Sequence, residues 1–228
     1  MGRCMALAGA KIVLVGRRKP PLVEACEQIG PRAVYELCDI TDFAAAESLI
    51  SRISRQFGPI SILANNAGIH LKRTAVQTTV QEFQEVLNVH VLAAHNLVRI
   101  ILPTMIDRRR GNILFIASMA SLFGVPLVVA YAAAKSAYLG MVRSLANEVS
   151  SHGVRVNAIA PGWIESPILR QALANDEKRA QQILNRTPMR RFGEPDDIGW
   201  AAVYLCSPAA TFVTGAVLPI DGGASIGF

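Results

Sequence analysis

The sequence predicts an α/β fold in which a doubly wound parallel sheet is covered by helices on both faces. Segments of strand composition alternate with segments of helical spacing along the whole chain. The strand segments are apolar throughout and lack the polar alternation of a half-exposed sheet, as expected when helices cover both faces. A length of 228 residues suits one domain of this kind, and no linker interrupts the pattern, so residues 1–228 are predicted to form a single domain.

Each predicted strand is a short apolar or β-branched run, and each predicted helix repeats apolar residues at a spacing of three and four. The predicted strands are Lys11–Val15, Ala33–Leu37, Ile60–Leu63, Asn112–Ala117, Val154–Ile159 and Ala216–Ile220. The predicted helices are Pro21–Ile29, Asp42–Phe57 with Asp42 as its cap, Thr79–Asp107, Ala130–Ser151 and Asp196–Cys206. Residues 163–192 are the least regular stretch, and we expect an irregular substrate lid there.

Composition and charge exclude several classes of protein. Hydrophobic residues make up 51% of the chain and charged residues 18%, which argues against disorder and coiled coil. The net charge of +6 arises from scattered basic residues, and the one run, Arg108-Arg109-Arg110, is interpreted as a solvated turn. No nucleic-acid partner is therefore expected, although a small anion, such as a phosphorylated cofactor or an acidic substrate, suits this charge.

The cysteines and the apolar runs indicate the compartment in which the protein is expected. Cys4, Cys26, Cys38 and Cys206 are far apart and form no CxxC pair. This spacing excludes an ordinary zinc site and argues against a disulfide framework, so we expect reduced thiols, no metal and a cytoplasmic location. No apolar run reaches the ~18 residues of a membrane helix, and no membrane partner is expected.

Four polar residues form the candidate catalytic group. Tyr131 and Lys135 lie four residues apart on a predicted helix, which places them on one face. Lowering a tyrosine pKa by about three units takes about 4 kcal/mol, which a neighbouring ammonium in a dry pocket can supply. A lone pair at this spacing is more often a packed tyrosine beside a solvated lysine. Here, however, Ser118 follows a strand at the ligand-binding edge, and Asn88 lies among apolar neighbours where its amide needs a partner.

With these residues in place, the sequence resembles the short-chain dehydrogenase/reductase family. The matching motifs are Asn65-Asn66-Ala67-Gly68 after a strand, Asn88, Ser118, Tyr131–Ser136, Arg155–Gly162, Thr214-Gly215 and Asp221-Gly222-Gly223. The resemblance runs from about residue 2 to the C-terminus. It implies a Rossmann-type domain and an NAD(P)-dependent oxidoreductase that interconverts a secondary alcohol and a ketone by hydride transfer.

The resemblance also implies the roles of individual residues. Tyr131 would be the general acid/base, Lys135 would lower its pKa and hold the nicotinamide ribose, Ser118 would orient the substrate oxygen, and Asn88 would support a water-linked proton relay. Ser121 is a rival to Ser118. The residues expected to bind cofactor are Gly2, Arg17, Arg18, Asp39, Ile40, Asn65, Ala67, Gly68, Tyr131, Lys135, Pro161, Gly162, Ile164 and Ser166. His70, His90, His95 and His152 show no ligand spacing and are expected at ordinary surface or helix positions.

The family pattern begins with a strand and a glycine-rich turn of the form TGxxxGxG, and neither is found in this sequence. Gly2 falls where the last glycine of the turn should be, and no G-x-G-x-x-G occurs anywhere. Losing two or three charge-assisted hydrogen bonds to the cofactor phosphates weakens binding by about a hundredfold or more. Two readings stay open: an active oxidoreductase, or a truncated, catalytically defective relative that acts as a binding or oligomer partner.

The remaining expectations concern cofactor, substrate and assembly. Arg17-Arg18 follows the strand at which NAD-dependent enzymes place an acidic residue, so NADP is expected, with NAD possible. The lid combines the polar and basic side chains of Glu165, Arg170, Gln171, Asn175, Arg186, Arg190 and Arg191. This mixture, with a similarity to gluconate 5-dehydrogenase-like members of the family, favours a sugar, polyol or sugar acid, unless these groups face solvent. The resemblance implies a homotetramer or homodimer formed through the helices Thr79–Asp107 and Ala130–Ser151.

Overall fold

The structure is a computed structural model that describes residues 1–166, 169–170, 173–174 and 176–227. Within these residues the strands are β1 (Ile12–Gly16), β2 (Ala33–Leu37), β3 (Ile62–Asn65), β4 (Gly111–Ile116), β5 (Val154–Pro161) and β6 (Val217–Ile220). The helices are α1 (Gly2–Leu7), α2 (Lys19–Ile29), α3 (Phe43–Phe57), α4 (Val80–Leu87), α5 (Ala93–Asp107), α6 (Val129–Val149), α7 (Glu177–Arg186) and α8 (Pro195–Cys206). All strand pairs are parallel, and the predicted α/β class is confirmed.

The sheet consists of two pieces. One piece pairs β1 with β2, and the other has the order β3-β4-β5-β6. In a doubly wound sheet of strand order 3-2-1-4-5-6, the first strand separates two such halves. In the described residues no strand pairs with both β1 and β3, so the sheet is interrupted at the place where the sequence predicted no first strand.

Helices cover both faces of the sheet, as the uniformly apolar strands predicted. On one face, α3, α5 and α6 pack on β3, β4 and β5 around Phe115 and Val142. On the other face, α1 and α8 pack on β4 and β5 around Leu114 and Ile159. These helix layers extend over both sheet pieces and hold them in one core.

The predicted helix Thr79–Asp107 differs from the expectation because a π turn divides it. Thr79 caps α4 in a capping box with Glu82. Residues Asn88–Leu92 then form the π turn, in which the N–H of Ala93 donates to the carbonyl of Asn88 five residues earlier. Single π turns inside α-helices often occur at functional sites, and this one starts at a predicted site residue.

The same continuous segment, Val80–Asp107, is long and apolar enough, by length and composition alone, to cross a membrane. In the fold its apolar side chains Leu97, Ile101 and Met105 pack in the core against the sheet. A buried core helix of this kind meets the same length and hydropathy criteria as a membrane helix.

The predicted lid, residues 163–192, is less irregular than expected because it contains α7. Asp176 caps this helix by accepting a hydrogen bond from the N–H of Arg179. Its apolar side chains, Ala180, Ile183 and Leu184, form a narrow stripe of which only Ile183 is buried, and this short pattern was not recognised in the sequence. The lid residues Gln171 and Asn175 lie outside the described residues.

Candidate active site

Three of the four predicted catalytic residues meet at the carboxyl edge of β4. Tyr131 and Lys135 lie in the first two turns of α6, and Ser118 follows β4 at the start of a short 3₁₀ turn. Lys135 is 4% exposed, and its Nζ donates to the carbonyl of Ile116 at 2.6 Å. The Lys135 Nζ lies 5.7 Å from the centroid of the Tyr131 ring. The structure therefore brings together the group that sequence spacing predicted.

Ser118 is better placed than Ser121 to act on a substrate. The Ser118 hydroxyl accepts a hydrogen bond from the N–H of Ala120 at 3.1 Å, and it also hydrogen-bonds with the Tyr131 side chain. The Ser121 hydroxyl is used locally, because it donates to the carbonyl of Ser118. This arrangement favours the predicted choice of Ser118.

The electrostatics of the pair differ from the expectation. Burial raises the pKa of the Tyr131 hydroxyl above its ordinary value, and the hydrogen bond with Ser118 offsets only part of the rise. Burial also lowers the pKa of Lys135 to about 8. The predicted lowering of the Tyr131 pKa by Lys135 is therefore wrong for this arrangement, in which the Lys135 ammonium donates to the Ile116 carbonyl and makes no contribution to the Tyr131 pKa.

Two histidines that sequence reasoning did not select pack against Tyr131. The His70 ring lies 4.9 Å from the Tyr131 ring and the His90 ring 5.6 Å from it, measured between centroids. His70 follows Gly68 by two residues and His90 follows Asn88 by two, and this proximity to motif residues is the signal that could have found them. His95 and His152 are exposed, as expected.

His90 is a fully buried, neutral imidazole. Burial, with a smaller contribution from the Lys135 charge, lowers the pKa of His90 to about 4. Its Nε2 lies 2.9 Å from the carbonyl oxygen of Ile69. Its Nδ1 is buried and has no partner among the described residues. His90 thus fixes the loop after β3 beside Tyr131.

Asn88 lies at the junction between α4 and the π turn. Its side chain is half-buried, and its carbonyl is taken by the N–H of Ala93. His90, which packs against Tyr131, belongs to the same π turn as Asn88. The proton-relay role expected for Asn88 stays a prediction.

The loop after β3 provides a second part of the predicted site. Asn65 is 5% exposed, and both its amide oxygen and its amide nitrogen lack a partner among the described residues. A buried amide at the carboxyl edge of a parallel sheet fits a ligand or a water molecule. Gly68 packs directly on the His90 ring, because a Cβ there would lie 2.9 Å from both ring nitrogens. Ala67 is exposed beside them.

The loop after β5 provides a third part. Pro161 ends β5, and the Gly162 N–H donates to the carbonyl of Ile220 at 3.0 Å. A Cβ on Gly162 would lie 2.6 Å from the Asp221 Cα, so this position requires glycine. Ile164 forms an isolated parallel bridge with Gly193, which anchors the loop.

Ser166 was expected to bind cofactor, which stays a prediction, and in this structure its hydroxyl makes a hydrogen bond within the loop. It accepts a hydrogen bond from the Leu169 N–H at 3.1 Å. The residue acts here as a local cap for the turn that follows.

The residues predicted to select the cofactor lie on the two-stranded piece of the sheet. The Arg17 Nη1 lies 3.6 Å from the Asp39 Oδ2, and both side chains are exposed to solvent. Hydrogen bonds from the Thr41 hydroxyl and N–H hold the pKa of Asp39 below its ordinary value. Arg18 is exposed at the start of α2, and Ile40 packs against the core.

Gly2 serves helix packing in this structure. It begins α1, and a Cβ there would lie 3.1 Å from the Ile29 Cδ1 and 3.6 Å from the Ile12 Cγ2. Close packing of helix on strand is the role of the third glycine in the dinucleotide-binding turn. A direct contact between Gly2 and a cofactor stays a prediction.

A nicotinamide cofactor fits the residues at the carboxyl edge of the sheet. Asn65, Tyr131 and Lys135 lie at or beside this edge, and the buried Asn65 amide, which has no partner among the described residues, marks a site for a polar ligand.

This fold and this group of residues define a nicotinamide-dependent oxidoreductase. A family model described as enoyl-(acyl carrier protein) reductase matches residues 1–225. The chain belongs to the short-chain dehydrogenase/reductase family, and the predicted class, an NAD(P)-dependent oxidoreductase acting on CH–OH groups, is confirmed.

Three known proteins illustrate what the chain is similar to. It is 38% identical over 227 residues to the inactive 2-(S)-hydroxypropyl-CoM dehydrogenase 2 of Xanthobacter autotrophicus, covering 98% of each chain. It is 37% identical over 225 residues to the 2-dehydro-3-deoxy-D-gluconate 5-dehydrogenase of Bacillus subtilis, covering 97% of this chain and 88% of that protein. The crystal structure of a gluconate 5-dehydrogenase from Burkholderia cenocepacia with NADP and tartrate superposes with a TM-score of 0.92 at 29% identity, covering 100% of this chain and 90% of the other.

Proposed function

We propose that the chain is an NADP(H)-dependent oxidoreductase that interconverts a secondary alcohol and a ketone on a small polar substrate with a carboxylate, such as a sugar acid. The observation that carries this proposal is a pair of cations near His70, the histidine that packs on Tyr131. The His70 ring packs on Tyr131, and the charges of Lys72 and Arg179 lie close enough to lower the pKa of His70 further than its burial alone does. A carboxylate next to the reacting carbon suits such a group.

The known proteins support the same substrate class. The Bacillus subtilis relative is named for a sugar acid, and the Burkholderia cenocepacia structure holds NADP together with tartrate, a hydroxylated dicarboxylate. Both resemble this chain over nearly its whole length.

The support does not come from the lid cations selected in the sequence. Arg170 pairs with Glu165 at 3.4 Å and Arg191 with Asp197 at 3.2 Å. The other two lid arginines have neutral partners. Arg190 donates to the Asn185 side chain, and Arg186 donates to the Ala224 carbonyl and lies over the Phe123 ring. Arg179 of α7, which the sequence did not single out, is the lid cation whose charge acts on His70.

The residues at the carboxyl edge can perform the proton transfer of this reaction. The raised pKa of Tyr131 keeps its hydroxyl protonated at neutral pH, which is the form that donates a proton to a carbonyl oxygen during reduction. Ser118 can hydrogen-bond the same substrate oxygen and hold it near the tyrosine. A nicotinamide cofactor, held by Asn65, Lys135 and the loop after β5, would supply or accept the hydride.

The choice of NADP over NAD rests on Arg17 and Arg18. Both guanidinium groups are exposed at the end of β1, where a 2′-phosphate can approach them. The Asp39 carboxylate already lies 3.6 Å from the Arg17 guanidinium, so a 2′-phosphate would compete with Asp39 for Arg17.

A substrate panel tests the proposal. The 228-residue chain would be assayed with NADPH and NADH on sugar acids, neutral polyols, steroids and acyl ketones. We expect turnover with sugar acids, and we expect Arg179→Gln to raise their KM about tenfold while kcat and the KM of neutral polyols stay unchanged. Arg170→Gln, at an exposed lid arginine paired with Glu165, is the matched control and should change neither constant. Turnover confined to steroids or acyl ketones would contradict the proposal.

The alternative that the sequence left open, a catalytically defective relative acting as a binding or oligomer partner, is not favoured, because the chain belongs to a family of oxidoreductases and resembles a named dehydrogenase over nearly its whole length. The Xanthobacter autotrophicus relative of nearly the same extent is named inactive, so this candidate is given a direct test. Titration of the chain with NADPH, followed by cofactor fluorescence, separates the two functions. Saturation at micromolar NADPH would remove this candidate, whereas no saturation at millimolar NADPH would favour it.

We further propose a cytoplasmic location with reduced thiols, which the four free cysteines support. We also propose self-association through α5 and α6, as expected from the sequence. Leu92, just before α5, and Val129, at the start of α6, are exposed apolar side chains that support it. Light scattering at micromolar concentration tests the self-association, and a monomeric mass would contradict it.

A further inference from the structure

A second tyrosine of α6, Tyr138, is buried beside the candidate catalytic group. Lys135 and Tyr138 follow Tyr131 by one and two helical turns, so all three lie on one face of the helix. Tyr138 is 1% exposed, and its ring packs on Phe115 of β4 at 5.0 Å between centroids. A buried tyrosine hydroxyl usually has a hydrogen-bond partner, and that partner shows which part of the fold the hydroxyl holds in place.

The Tyr138 hydroxyl holds the π turn. It donates to the main-chain carbonyl of His90 at 2.8 Å. Since His90 lies in the middle of the π turn Asn88–Leu92, this hydrogen bond joins α6 to the π turn. Burial raises the pKa of Tyr138 above its ordinary value, so the hydroxyl keeps the proton that the bond needs. Without this donor, the buried carbonyl would lose a partner that it needs.

The His90 side chain in turn holds the loop after β3. One ring nitrogen, Nε2, lies 2.9 Å from the Ile69 carbonyl oxygen and 3.1 Å from the Ile69 nitrogen. In either neutral tautomer Nε2 can therefore pair with Ile69, as a donor to the carbonyl or as an acceptor from the N–H. Gly68 provides the space for the ring, because a Cβ at this position would overlap it.

The same imidazole packs on Tyr131. The centroids of the His90 and Tyr131 rings are 5.6 Å apart, and the rings are nearly perpendicular, at 85°. Aromatic rings prefer such edge-to-face packing, so a shift of one ring changes the favoured place of the other. The contacts therefore run from the Tyr138 hydroxyl through the π turn and the His90 ring to Tyr131.

We infer that Tyr138 is a positioning residue of the active site: its hydroxyl fixes the π turn, and His90 on that turn fixes the place of the Tyr131 ring. Proton transfer depends on this place, since a displacement of about 1 Å can reduce the rate about a hundredfold. The inference rests on the proposed function, because turnover is one of its readouts. A second readout, by NMR, needs no substrate.

Tyr138→Phe tests the hydroxyl alone. Phenylalanine keeps the ring that packs on Phe115 and that lies 5.0 Å from the Lys135 Nζ. With the sugar acid that the parent converts fastest, we expect kcat to fall about tenfold, because the productive arrangement becomes less populated, while the KM for NADPH stays unchanged. Tyr204→Phe removes a tyrosine hydroxyl at an exposed position of α8 and is the matched control, which should change neither constant.

A double-mutant cycle separates positioning from a contribution to stability. In a His90→Leu chain the imidazole is absent, but the Tyr138 hydroxyl keeps the main-chain carbonyl as its acceptor. In that background Tyr138→Phe should still lower the free energy of unfolding, measured with urea, but should reduce kcat less than about twofold. His90→Gln also lacks a ring that could pack on Tyr131, so the cycle can be run with His90→Gln if His90→Leu does not fold.

The NMR resonances of the Tyr131 ring report its place without a substrate. In chains with ¹³C-labelled tyrosine, Tyr138→Phe should shift the Tyr131 ring resonances, which the neighbouring His90 ring influences, and should leave those of Tyr35 in β2 unchanged. Tyr204→Phe should shift neither.

Three results would overturn the inference: a Tyr138→Phe chain with the kcat of the parent, an equal loss of kcat with and without His90, or unshifted Tyr131 resonances. A parent that converts none of the compounds in the substrate panel would contradict the proposed function instead. The Tyr131 resonances would then decide the inference by themselves.

Discussion

Replacing Lys135 by methionine should stabilise the chain at neutral pH, even though it removes a residue of the candidate active site. Lys135 is almost fully buried, and burial lowers its pKa from 10.5 to about 8. This shift corresponds to about 3 kcal/mol that the fold loses by keeping the ammonium charged inside the protein. Methionine has a similar length and carries no charge, so it removes this cost.

The net gain is smaller because a hydrogen bond is lost. The Lys135 Nζ donates to the Ile116 carbonyl, and an unpaired carbonyl there costs about 1 kcal/mol. We therefore expect Lys135→Met to raise the free energy of unfolding by about 2 kcal/mol at pH 7. Below pH 8 the lysine is charged in both the folded and the unfolded state, so the full cost is present. As the pH rises from 8 to 10.5, the folded state loses its proton first, and the advantage of methionine disappears.

Urea unfolding at pH 7 and pH 10 measures the difference in free energy of unfolding between parent and variant. Groups that titrate in the same way in both proteins do not contribute to this difference. Lys178→Met, at an exposed position of α7, is the control and should change the free energy of unfolding by less than about 0.5 kcal/mol at either pH. A Lys135→Met chain that is less stable at pH 7, or a difference that does not depend on pH, would refute the reasoning.

Three further substitutions address the site. Tyr131→Phe should reduce turnover by about 10² to 10⁴ while leaving cofactor affinity unchanged, and an active variant in the substrate assay would disprove the assignment. Gly68→Ala should destabilise the chain by about 1–3 kcal/mol, because its methyl group meets the His90 ring; in the His90→Ala background urea unfolding should show a smaller cost. Arg17→Asp should shift kcat/KM toward NADH, and equal values for both cofactors in the parent would contradict the role of Arg17.

Most of the fold could be predicted because α/β units are visible in local sequence. Ala33–Leu37 is predicted with its observed bounds, and α3 is correctly predicted to be capped by Asp42, whose side chain accepts from the Ala45 N–H. The π turn could not be predicted, because Asn88–Leu92 continues the apolar spacing of a regular helix. The α7 helix was missed because its apolar stripe is short and lies among polar residues, with Ala180, Ile183 and Leu184 as its apolar members.

The candidate site was predictable where it depends on spacing and not where it depends on burial. Tyr131 and Lys135 are four residues apart on one helix, so sequence alone places them together. The direction of the Tyr131 pKa depends on how much water the fold excludes and on the acceptor that Lys135 finds, and neither is visible in the sequence. His70 and His90 reach Tyr131 from two different elements, so only the folded chain shows that they are neighbours.

The division of the sheet also divides the candidate site. Tyr131, Lys135 and Ser118 are positioned by the four-stranded piece, whereas Arg17 and Asp39 follow the strands of the two-stranded piece. A ligand that contacts both groups therefore bridges the two pieces. We expect NADPH to slow amide hydrogen exchange in β1 and in β3 alike, measured by NMR with and without the cofactor. Slower exchange in only one of these strands would show that the cofactor contacts one piece alone.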